Sequence, residues 1–115
     1  MKRFVLAFAL FAAPLRAAPP TTCGLPDDYS RALCAYQQRD FGTAERVFGS
    51  IVDAGEEAPQ TLKGMYFLAR TYMKTGRFDE AAGLLVRIYE TDRTFYGSWS
   101  CDFLLGECRR ALGKD

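Results

Sequence analysis

Residues 68–88 read Leu68-Ala69-Arg70-Thr71-Tyr72-Met73-Lys74-Thr75-Gly76-Arg77-Phe78-Asp79-Glu80-Ala81-Ala82-Gly83-Leu84-Leu85-Val86-Arg87-Ile88. Leu68, Ala69, Tyr72 and Met73 fall at helical offsets before Gly76, and Ala81, Leu84, Leu85 and Ile88 do the same after it. Gly76 suits the left-handed position that ends a helix. Asp79-Glu80 then place negative charge at the positive end of the next helix. The stretch therefore reads as two helices joined by a tight turn. Its small residues Ala69 and Ala81 mark where the two can approach closely.

The same pattern recurs to either side. Ala32, Ala69 and Gly106 lie 37 residues apart, as do Tyr29, Tyr66 and Phe103. Phe41 and Phe78, Ala44 and Ala81, Phe48 and Leu85, and Ile51 and Ile88 keep that spacing too. A period of this size predicts stacked helical hairpins, each too small to bury its own apolar face. The expected helices open near Pro26-Asp27-Asp28, Gly42-Thr43, Pro59, Asp79-Glu80 and Trp99, with Thr91 to Ser98 as a link. Tyr29, Ala32, Leu33 and Tyr36 stripe the first, while Trp99, Phe103, Leu104, Leu105 and Leu112 stripe the last. No useful length alternates with period two. The expectation is all-α: about two and a half hairpin units, five helices, over 26–113.

The run from Leu68-Ala69 through Tyr72, Gly76, Phe78, Ala81 and Leu85 to Ile88 resembles a tetratricopeptide repeat. Leu105-Gly106 with Gly113 resembles the first helix of another, and residues 26–56, with Phe41, Ala44 and Phe48, resemble a third. The chain departs from the family pattern in having Ala35 where Tyr is usual, and Met65 and Asp102 where Trp is common. The resemblance implies a non-catalytic protein–protein interaction module whose concave face, lined by the first helix of each unit, takes a peptide or protein segment. The matching positions are Tyr29, Leu33, Tyr36 and Gln37; Lys63, Tyr66, Arg70, Met73 and Lys74; and Phe103, Glu107 and Arg110. They amount to a ladder of three aromatics, Tyr29, Tyr66 and Phe103, with Lys63, Arg70, Lys74 and Arg110 available to orient a carboxylate. A terminal or convex surface for oligomerising or docking onto an envelope assembly is the alternative. Arg109, Arg110 and Glu107 are expected to make the last helix a polar end cap, as an open-ended stack requires.

The first 17 residues have the layout of a secretory signal peptide: Lys2-Arg3, the ten-residue apolar run Phe4 to Ala13, then small residues up to Ala17. That run is shorter than the roughly 20 residues of a membrane span. A cleaved, soluble form in the periplasm or outside the cell is preferred to a retained anchor or a lipid attached at Cys23. Residues 18–25 read as an extended leader. The expected partner is a protein or peptide of the cell envelope, with the membrane reached only through that partner and oligomers possible. Without the first 17 residues, 98 of the 115 remain, carrying 12 basic and 14 acidic groups. A net charge of −2 argues against nucleic acid, whose dedicated binders carry an excess of positive charge.

Histidine is absent. That removes the commonest general base, the usual triads and most zinc sites, so no catalytic residue, cofactor or metal is expected. The four cysteines, Cys23, Cys34, Cys101 and Cys108, allow three pairings. Export favours disulfides, and Cys23–Cys34 with Cys101–Cys108 is the preferred set. Two residues seven apart in one helix are separated by about 10.5 Å, so the second pair requires Cys101 to lie at a frayed start. A thiol–disulfide enzyme is a weak alternative, because no Cys-x-x-Cys lowers a thiol's pKa.

Overall fold

The computed structural model describes residues 23–55 and 59–114. Residues 1–17, read above as a signal peptide, and the expected leader as far as residue 22 lie outside the described residues. The helices are α1 (Asp28–Gln37), α2 (Phe41–Asp53), α3 (Pro59–Lys74), α4 (Phe78–Thr91), α5 (Arg93–Ser98) and α6 (Cys101–Ala111). The described residues contain no strand. Each of α1 to α4 packs on the next, and α6 continues the stack against α4.

The helix starts follow from side-chain caps. Asp27 accepts from the Ser30 N–H at 2.9 Å to open α1, and Asp40 accepts from the Thr43 N–H at 3.2 Å to open α2. The α3–α4 turn closes as its sequence predicts, with Gly76 at φ +82°. Arg77 in that turn pairs with Glu45 of α2 at 2.7 Å and lies over the Tyr72 ring at 4.4 Å, fastening the first hairpin to the second.

The five-helix expectation is corrected to six among the described residues. The link Thr91 to Ser98 is itself mostly helical, because Asp92 accepts from the Phe95 N–H at 3.0 Å and starts α5. Trp99 consequently caps the end of α5 instead of opening the last helix. Ser100, at φ +54°, turns the chain, and α6 starts at Cys101.

The small residues sit where the period places them: Ala32, Ala44, Ala69 and Ala81 are all completely buried. Around them pack Phe48, Leu85 and Ile88, also fully buried. Gly64 marks a second close approach, since a Cβ there would come within 2.9 Å of Ile51 Cγ2 on α2.

Cys23 and Cys34 are joined, with their Cα atoms 5.7 Å apart, which ties the segment ahead of α1 to its body. The expected Cys101–Cys108 bond is corrected: both thiols are free and buried. Cys101 is the first residue of α6 and Cys108 lies two turns on in the same helix, beyond disulfide reach.

Candidate functional site

The first helix of each unit brings the expected groove residues to α1, α3 and α6, but they do not form one ladder. Tyr66 is only 9 % exposed. Its ring stands edge-on to Trp99 at 4.9 Å and to Phe67 at 5.0 Å, and so belongs to the core. Phe103 lies at the other extreme, 62 % exposed. Tyr29 is half-buried, edge-on to Phe48 and Phe67, and Leu33 packs against the core. The three-aromatic ladder is therefore replaced by a cluster centred on Phe67, which also touches Tyr36 at 5.9 Å and stacks on Phe48 at 5.7 Å. Phe95 and Trp99, stacked at 4.8 Å, close that cluster from the α5 segment.

The cations separate in the same way. Lys63 sits over the Tyr29 ring at 5.9 Å. Arg110 is engaged by Glu107 at 2.7 Å, one turn away on α6. Arg70 and Lys74 come together with Tyr36 and Met73 in a cleft of about 230 Å³, whose remaining walls are Phe78 and Leu104. Four of the expected groove residues thus share one concavity, drawn from α1 and α3 and walled by α4 and α6.

The electrostatics of this cleft turn on Arg70. Its guanidinium hydrogen-bonds the Tyr66 hydroxyl at 3.3 Å and faces the rings of Tyr66 at 5.7 Å and Tyr36 at 5.9 Å. Burial works against its charge, but the Tyr66 bond and the neighbouring phenol oxygens outweigh it and raise its pKa. No carboxylate pairs with Arg70 or Lys74 among the described residues. Tyr36 Oη is buried and has no hydrogen-bond partner among the described residues. A ligand oxygen placed there would complete the hydrogen bonding of that hydroxyl beside the Arg70 charge.

The family model for the tetratricopeptide repeat matches residues 29–96, more than half of the chain. The chain belongs to the tetratricopeptide repeat family. No curated protein and no solved structure matches it. Tetratricopeptide repeats mediate protein–protein interaction and are typically non-catalytic scaffolds. This member offers no activated nucleophile in its free thiols: burial, with Asp102 adding to it, pushes Cys101 up to about 11, and burial with Glu107 raises Cys108. Among the described residues no group of three or more His, Cys, Asp or Glu side chains is arranged to hold a metal. No described helix is long and apolar enough to cross a membrane.

Sequence reasoning missed Phe67, Phe95 and Trp99 as the aromatic floor, and Phe78 and Leu104 as cleft walls. Phe78 and Leu104 carried a signal, each being an apolar position in its stripe. Phe67 carried one too, next to Tyr66, though nothing in the spacing told that both rings join one cluster, Tyr66 buried and Phe67 partly buried.

Proposed function

We propose that this tetratricopeptide repeat protein is an exported, non-catalytic adaptor that binds a protein segment on the face carrying α1 and α3. The segment anchors an apolar side chain against Met73, Phe78 and Leu104 while one of its carboxylates meets Arg70, Lys74 and the Tyr36 hydroxyl. One observation carries this reading: a partly buried guanidinium that faces the phenol groups of Tyr66 and Tyr36 and pairs with no carboxylate among the described residues. Charge-assisted hydrogen bonds to carboxylate are about twice as strong as neutral ones, and Arg presents two donors in a fork that fits them. Export to the periplasm or beyond rests on the sequence of the first 17 residues and on the resemblance to repeat modules of envelope assembly factors. The expected partner is accordingly an envelope protein.

The test is cross-linking and pull-down from envelope extract with wild type beside Arg70→Ala and Lys74→Ala. Both positions can lose their side chains without opening the core, unlike Tyr66. A partner captured by wild type and lost from both variants supports the cleft. Equal capture by all three moves the binding surface elsewhere.

A further inference from the structure

In the first two units a second helix, α2 or α4, covers the small contact residue, and Ala32 and Ala69 are 0 % exposed. Gly106 holds the same register place on α6, and a Cβ there would meet only Arg110 Nη1, at 3.8 Å. No helix among the described residues packs over it. On α4, Val86 is 37 % and Tyr89 42 % exposed, although both are large and apolar.

Between α4, α5 and α6 this end opens a cleft of about 380 Å³, lined by Val86, Tyr89, Tyr96 and Leu105 together with Glu90 and Arg109. Tyr89 is held edge-on to Tyr96 at 5.1 Å with Arg93 over its ring at 4.7 Å. A ring already fixed in place loses little freedom when a partner covers it. Glu90 and Arg109 form no ion pair among the described residues.

We propose that this end is a self-association surface, and that its occupant is a second copy of this chain related by a two-fold axis. A two-fold contact joins one patch to itself, so the patch must be self-complementary. An apolar centre flanked by an unpaired acid, Glu90, and by the bases Arg93 and Arg109 offers such reciprocal pairing. Glu90 of one protomer faces the partner's Arg109, and Arg109 faces the partner's Glu90. The partner's end supplies over this patch the kind of cover that α2 and α4 supply within the chain, and the patch shares no lining residue with the Arg70 cleft. This surface is independent of the one proposed for the envelope partner.

Sedimentation equilibrium on the purified protein tests the proposal. Wild type is expected at twice the chain mass at micromolar concentration, and Tyr89→Glu at about half of that value. Glu90→Arg and Arg109→Glu, both at exposed positions, are each expected to be monomeric alone. Mixed in equal amounts they are expected to restore the dimer, because each supplies the charge that the other lacks. Circular dichroism separates loss of association from loss of fold; should Tyr89→Glu unfold, the charge pair alone decides. A monomeric wild type, a dimer indifferent to these changes, or a mixture that stays monomeric overturns it.

Discussion

Ala69 on α3 and Gly106 on α6 occupy one register position 37 residues apart and meet opposite surroundings. Against Ala69 lies a whole helix, and its side chain is completely buried; beside Gly106 there is open space and one arginine tip. The two aromatics that precede them diverge as sharply, Tyr66 at 9 % exposure and Phe103 at 62 %. A repeat pattern thus specifies the position of a residue within its hairpin, while its environment is decided by which neighbours the stack supplies. In the middle unit the pattern encodes core, and at the end it encodes surface.

The largest expected effect strikes the middle of the stack. Phe48→Ala removes a fully buried ring stacked on Phe67 and is expected to cost about 3–5 kcal/mol. Phe103→Ala is expected to stay within about 0.5 kcal/mol of wild type. Urea denaturation of the two side by side checks both, and equal losses would end the contrast.

Next comes the register position itself. Ala69→Leu overpacks the α3–α4 contact and is expected to cost about 1–3 kcal/mol. Gly106→Ala gains helix propensity with room for its Cβ, and is expected to stabilise by up to about 1 kcal/mol. A destabilised Gly106→Ala would show that something does cover α6.

The cysteines sharpen the same comparison between the two ends. Cys23→Ser with Cys34→Ser opens a short covalent loop and is expected to cost about 2–3 kcal/mol. Cys101 and Cys108, buried and with raised pKa values, are expected to resist iodoacetamide until the protein unfolds. Mass spectrometry of native and denatured samples reads this directly, and rapid native labelling would place those thiols at the surface.

The smallest effect is a pH dependence shared by the helix-capping Asp27 and Asp40 of the first unit and by Glu80 of the second, which Arg77 holds low. Hydrogen bonds from the Ser30 backbone and side chain hold Asp27 below the usual carboxyl value of 3.8, and those from Thr43 do the same for Asp40. A folded-state pKa below the unfolded one adds stability that is complete above 3.8 and disappears as pH falls through the lower, folded value. The melting temperature is therefore expected to decline in acid, and Asp27→Asn, which keeps an acceptor, to blunt that decline. An unchanged acid limb in the variant would remove Asp27 as its source.

Much of this molecule was legible in the chain. The 37-residue period located α1 to α4 and α6, the glycine turn after α3 and the four buried alanines, because helix contacts demand small residues at fixed offsets. It did not locate α5, whose only advance sign is a single Asp92 cap within a short link. That omission carried into the site. Phe95 and Trp99 belong to the α5 segment, and Trp99, stacked on Phe95, folds over Tyr66 and Phe67, so the expected ladder lost its middle rung. Of the four cations, Arg70 and Lys74 meet in one cleft; Arg110 does not join them because Glu107 lies one helical turn away. Local spacing along a helix foretells such a pair, whereas long-range cover from a link depends on packing that no periodicity records.

The most direct measurement is the affinity of the captured partner segment for wild type, Arg70→Gln and Arg110→Gln, compared by calorimetry at one ionic strength. Losing the charged fork is expected to weaken binding at least tenfold for Arg70→Gln, about 1.4 kcal/mol, and to leave Arg110→Gln at the wild-type value. Equal affinities for all three proteins, or a greater loss at Arg110, would contradict a carboxylate seated between Tyr36 and Arg70.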